Sequence, residues 1–264
     1  MRELTPFLRS VNWQSLVEAG GRGMPPMEAL RSLLPGDVDA LLGVFEAGSQ
    51  KEEFAAFLCL RAVLTRASEL GGVSPSADQR RRCLAALESK AKAFLRCERE
   101  PSESLSVVVI VLWCAEAPDA AFDTLIRTDI PRVEDPLRHN ILPLMAHRAR
   151  IRPDVRAALE AIAAGRPELA DTVREALEHA GIVSEERLAS WSQRWICDRD
   201  PEALRLLYNR YVEQNGADLT VVDVQRLFGE SPRRGRGDIT FQAGHAHVYL
   251  EFNADGRLTA WHGS

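Results

Sequence analysis

The sequence predicts a mainly helical protein, an antiparallel array of helical hairpins that ends in a small three-stranded antiparallel β-meander. Three observations carry that expectation. Apolar residues recur at helical spacing from about residue 25 to residue 215. Proline, aspartate and glycine punctuate this stretch at short intervals, as helix starts and stops do. After Gly216 the apolar period changes from about 3.6 residues to about 2, the spacing of strands with one buried face. Of 264 residues, 45% are hydrophobic and 27% charged, which supplies enough apolar mass for a core and excludes a disordered or collagen-like chain. The expected division is residues 1–215 helical and 216–264 helix plus sheet.

Taken in order, Gly20-Gly21-Arg22-Gly23 with Pro25-Pro26 interrupts the helical pattern first, and Asp37 is placed to cap a helix through Phe45. Phe54 to Leu64 is apolar on more than one face and Leu105 to Ala115 nearly all round, so both helices are expected to lie between neighbours. Gly71-Gly72 and Pro75 separate them. Pro143 is expected to break or kink the helix over Glu134 to Arg150, because it lacks an N–H and its ring crowds the preceding turn. Val155, Leu159 and Ile162, then Leu169, Val173 and Leu177, form two apolar stripes around Gly165-Arg166-Pro167, which predicts a helical hairpin. Asp200-Pro201 opens a helix whose buried face is Leu204, Leu207, Tyr208 and Tyr211. Thr220-Val221-Val222-Asp223 resembles a capping box, and Gly229 is suited to end the short helix it starts.

The meander follows a loop of three arginines, Ser231 to Gly237. Ile239 and Phe241 alternate with polar neighbours, Ala243-Gly244 permits a tight turn, and Ala246, Val248, Leu250 and Phe252 alternate with His245, His247, Tyr249 and Glu251. A turn over Asn253-Ala254-Asp255-Gly256, with Gly256 left-handed, sets Phe252 opposite Leu258, Leu250 opposite Ala260 and Tyr249 opposite Trp261. This register puts every aliphatic residue on one face and turns His262 inward.

Two resemblances extend this reading. Pro153-Asp154-Val155-Arg156 through Gly181, with its alanine-rich second helix, is similar to a repeat of HEAT-like α-solenoids, and over about residues 25–215 this implies a curved stack with a concave face. An irregular bundle uses the same apolar spacing and stays open as an alternative. Val224, Leu227, Phe228, Gly229 and Pro232, followed by Tyr249-Leu250-Glu251-Phe252, Gly256 and Trp261, resemble the helix and meander of the small lipoprotein of the outer-membrane β-barrel assembly machine. That likeness implies a fold and a tendency to bind protein. The lipobox cysteine and signal peptide of that family are not seen here.

Met1-Arg2-Glu3-Leu4-Thr5-Pro6 does not read as an export signal, and Val107 to Ala115 is far shorter than the roughly 20 apolar residues of a membrane-spanning helix. Five cysteines, an odd number without a C-x-x-C pair, read as reduced thiols, and a cytoplasmic location is expected. The net charge of −5 argues against nucleic acid as partner. No nucleophile motif, phosphate loop or paired catalytic carboxylates is found, and no cofactor is expected. The expected function is therefore non-catalytic protein binding by a scaffold, adaptor or inhibitor of the immunity-protein type, through a concave helical surface and the C-terminal sheet. Candidate partner-binding residues are Trp191, Trp195, Tyr249 and Trp261, since tryptophan and tyrosine are enriched at interface hot spots; Trp191 and Trp195 also read as core, and Tyr249 with Trp261 as a pair that covers the helical domain from the other side of the sheet. His245 and His247, two apart on a strand, are weak metal candidates that lack a third ligand. The alternatives are an enzyme on a helical scaffold acting on a nucleic-acid base or small molecule, with His245, His247, Tyr249 and Glu251 as catalytic group, and a structural oligomer.

Overall fold

Local capping chemistry sets several helix starts in the computed structural model of the chain, which describes residues 37–47, 50–65, 75–97, 103–229, 233–234 and 238–263. The glycine and proline breaks at 20–26 and 71–72, and residues 231–232 and 235–237 of the arginine loop, lie outside the described residues. The chain is mainly helical, with a small antiparallel sheet at its C-terminal end. It forms two compact units that divide between Leu137 and Arg138.

In the first unit, α1 (Asp37–Ala47) packs with α2 (Gln50–Thr65) and with α3 (Ala77–Leu95), and α3 packs with α4 (Glu103–Glu116), which leads into α5 (Pro118–Leu125). Ser76 caps α3 by accepting from the Gln79 N–H, while the Gln79 side chain accepts from the Ser76 N–H. Residues 55–60 and 62–64 of α2 are all buried, as expected of a helix that is apolar on more than one face. Among them a charged pair is enclosed. Glu53, 1% exposed, meets Lys90 of α3 at 2.7 Å, and the Lys90 ammonium lies 5.2 Å from the Phe45 ring. The run Arg80-Arg81-Arg82 is bound to Glu116, Asp78 and Asp39 respectively, so its charge is matched locally.

Helix α6 (Asp135–Ala149) crosses the division and continues through Pro143. Of the break or kink expected there, no break occurs. Pro143 and His139 are both exposed, so the carbonyl that Pro143 cannot serve lies on the solvent side of the helix.

In the second unit, α7 (Pro153–Gly165) and α8 (Pro167–His179) form the expected hairpin, burying Val155, Leu159, Leu169 and Val173. Ser184 caps α9 (Glu185–Asp198), and Asp200 caps α10 (Pro201–Leu207) with Pro201 in its first turn. From Tyr208 the 3.6-residue repeat is interrupted by a π-helix, Tyr208–Val212, followed by a single turn, Glu213–Asn215, and a 3₁₀ turn, Gly216–Asp218. The Thr220 and Asp223 side chains close the expected capping box at the start of α11 (Val221–Phe228), and Gly229 ends it at φ 75°.

The expected three strands are present as β2 (Asp238–Ala243), β3 (Ala246–Phe252) and β4 (Leu258–Gly263), and a two-residue edge strand, β1 (Arg233–Arg234), pairs with β2. One core joins α9, α10, the π-helix and α11 to the inner face of the sheet. It holds Trp191, Trp195, Leu204, Leu207, Val224 and Phe228 together with Ile239, Phe241, Val248 and Leu250. A boundary at residue 215 would cut through this core. The meander cannot stand alone because its one apolar face needs the helices to cover it.

Candidate functional site

The C-terminal sheet has a covered face and an open one, and a one-residue irregularity decides which side chains go where. Phe252 opposes Leu258 as expected, but Glu251 opposes Ala260, which leaves Thr259 as an extra residue in β4. The Thr259 hydroxyl donates to the Glu251 carbonyl at 3.1 Å. Beyond this bulge every residue of β4 moves by one position relative to the simple register. Leu250 therefore faces Trp261, and Tyr249 faces His262, where Leu250–Ala260 and Tyr249–Trp261 pairs were expected.

Trp261 consequently turns inward and packs on the core, its ring so close to Gly216 that a Cβ there would stand 2.8 Å from the indole. Gly263 comes equally close to the Tyr208 ring. His262, expected to turn inward, is exposed on the open face, stacked on Tyr249 with ring centroids 4.7 Å apart and planes 27° from parallel. His247 follows, 6.5 Å from His262. Thr240 and Gln242 on β2 flank Tyr249 and His247 across the sheet, and Asp238 lies directly opposite Glu251. No side chain among Asp238, Thr240, Gln242, His247, Tyr249, Glu251, Ala260 and His262 is fully buried. Partial desolvation, reinforced by the Glu251 and Asp238 carboxylates, pushes the Tyr249 phenol above its ordinary pKa, so the hydroxyl stays protonated and able to donate at neutral pH.

The other candidates separate. Trp191 and Trp195 are each 1% exposed and belong to the core. The Trp195 indole N–H donates to the Phe228 carbonyl at 2.8 Å, and its ring meets Phe241 edge-on at 6.3 Å. Arg187 lies over Trp191 at 5.3 Å. These two indoles join helix to helix and helix to sheet, and they present no surface to a partner. His245 is exposed in the Gly244-His245 turn, and β3 begins only at Ala246, so His245 and His247 do not share a strand face. Among the described residues no group of three or more histidine, cysteine, aspartate or glutamate side chains is arranged to hold a metal ion. Of the set put forward for catalysis, His247, Tyr249 and Glu251 lie along the open face and His245 lies apart in the turn.

The sequence pattern did not reveal the placement of His262, although Thr259, a small residue able to bond back to the neighbouring strand, is the side chain that fills the bulge. A second surface in the same unit is a groove of about 510 Å³ along α9 and α11, with Leu188, Ile196 and Leu227 among its lining residues. Among the described residues no helix is long and apolar enough to cross a membrane. Compared with protein-family models, curated proteins and solved structures, the chain matches none.

Proposed function

We propose that the chain is a non-catalytic protein-binding module, an adaptor or inhibitor, that engages a partner protein through the open face of its C-terminal sheet. The observation that carries this reading is the cross-strand row Thr240, Tyr249, His262, with His247 beside it, on a face where no side chain is fully buried. Aromatic rings with polar tips bury large area at little conformational cost and still offer hydrogen bonds, which is why they concentrate at protein interfaces. The opposite face is filled by the core, so changes on the open face alter recognition without removing the fold.

Affinity capture with the full chain tests this. Proteins recovered with the unaltered chain are expected to be lost with Tyr249→Ala or His262→Ala and retained with Val222→Ala, whose side chain is exposed on α11, away from this row. Melting temperatures of the three variants are expected to stay close to that of the unaltered chain. Recovery of the same proteins by all four chains would overturn the assignment of this face, and recovery of none by the unaltered chain would count against protein binding.

A further inference from the structure

Six of the 264 residues are histidine, and two of them meet on the open face of the sheet. His262 of β4 pairs with Tyr249 of β3, so it stands diagonally across from His247, two residues earlier on β3. Diagonal neighbours on adjacent strands are within reach of long side chains, and the two imidazole centroids are 6.5 Å apart. The packing behind them holds the backbone in place, because Val248 and Leu250 are buried and Trp261 lies against Gly216. Tyr249 stacks on the flat of the His262 ring. A ring nitrogen offers its lone pair in the plane of the ring, so this stacking orients His262 without covering its nitrogens.

We propose that His247 and His262 together bind a divalent transition-metal ion of the zinc class, with water in its remaining coordination positions. Neutral imidazole suits zinc, nickel and copper, whereas magnesium and calcium take oxygen donors. With metal–nitrogen bonds of about 2.1 Å, two imidazoles on one tetrahedral ion have their centroids about 5 Å apart. The pair must therefore close by roughly 1.5 Å, and rotation about the side-chain bonds of the exposed His262 supplies this without moving either strand. The neighbour directly opposite His247 on β2 is Gln242, which brings no positive charge to the site. The carboxylates of Asp238 and Glu251, beyond Tyr249 on the same face, add negative potential that favours a cation. The two ligands lie on different strands, so the ion would tie β3 to β4.

Zinc chloride, titrated calorimetrically in a buffer that contains magnesium, is the probe. The full chain carries Cys97→Ala and Cys197→Ala in every titration, so that the two exposed thiols do not compete for zinc. Saturable binding of one equivalent is expected, weakened about tenfold or more by His247→Ala and by His262→Ala. His245→Ala, in the exposed turn before β3, is expected to leave it unchanged. Zinc is also expected to raise the melting temperature, because the unfolded chain does not hold the two histidines together, and both variants should lose this rise. Without zinc the melting temperatures of all the chains should agree, which separates a lost ligand from a lost fold. No saturable binding, full binding by either His247→Ala or His262→Ala, or equal loss with His245→Ala would overturn the proposal. No partner protein enters the measurement, so its failure and the failure of protein binding by this face are separate results.

Discussion

The indole N–H of Trp195 donates to the main-chain carbonyl of Phe228 at 2.8 Å. Phe228 is the last residue of α11, and helix ends leave carbonyls without partners inside the helix. One turn earlier on α9, the Ser192 hydroxyl donates to the Leu227 carbonyl at 2.6 Å. Two side chains of one helix thus complete the C-terminus of another.

Trp195→Phe keeps most of the ring volume and removes the donor, leaving a buried carbonyl unsatisfied. A loss of about 1–3 kcal/mol is expected, and Ser192→Ala should cost a similar amount for the same reason. Urea unfolding checks both. The midpoint is expected to fall with the slope unchanged, because the folded core is retained.

Gly216 and Trp261 give a prediction whose sign depends on background. In the unaltered chain Gly216→Ala places a methyl group 2.8 Å from the indole ring, and displacing that ring should cost about 1–3 kcal/mol. In Trp261→Ala the obstacle is gone, and the same substitution should be neutral or stabilising by up to about 1 kcal/mol through the unfolded chain. A double-mutant cycle measures the difference directly. Equal effects in both backgrounds would mean that the bulge at Thr259 does not bring Trp261 to Gly216.

The same contact explains which parts of the fold were legible. Helix starts written in local chemistry, such as Asp200-Pro201 and Thr220 with Asp223, could be read because the residues that bond are two to three positions apart. The Asn253–Gly256 turn was readable for the same reason: Asn253 Oδ1 accepts from the Asp255 and Arg257 N–H groups, and Gly256 sits at φ 73°. The register beyond Glu251 is set by the fit of Trp261 on Gly216 and Gly263 on Tyr208, contacts spanning 45 and 55 residues by their numbers. No periodicity along one strand reports them. The π-helix at Tyr208 is hidden similarly, since a helix widened by one residue keeps an apolar stripe that looks ordinary. Pro143 does not end its helix, because a rule about helix interiors takes no account of which side faces water.

Thiol accessibility tests the packing of both units at once. Cys59, Cys83 and Cys114 are buried, and burial pushes their thiols up to about 12, about 11 and about 12, so they carry almost no thiolate at neutral pH. Cys97 and Cys197 are exposed. Brief treatment of the native chain with iodoacetamide, followed by mass spectrometry, should find two modified cysteines, rising to five in denaturant. Rapid native labelling at Cys59 or Cys114 would show that the packing of α2 or α4 is wrong.

The capping box at α11 makes the second unit sensitive to acid. The Asp223 carboxylate accepts from the Thr220 hydroxyl at 2.6 Å and from the Thr220 N–H at 3.0 Å, and these bonds hold its pKa below the ordinary value of 3.8. In the unfolded chain neither bond exists, so the folded state prefers the ionised form. The resulting stabilisation is complete above the unfolded value and disappears as the pH falls through the folded one. Asp223→Asn cannot titrate and lacks this contribution at every pH. Melting temperatures of the two chains should therefore differ by a constant amount from neutral pH down to about pH 5 and converge as the acid range is entered. A gap that stays constant to pH 2 would mean that Thr220 bonds the aspartate no better in its charged form than in its neutral one.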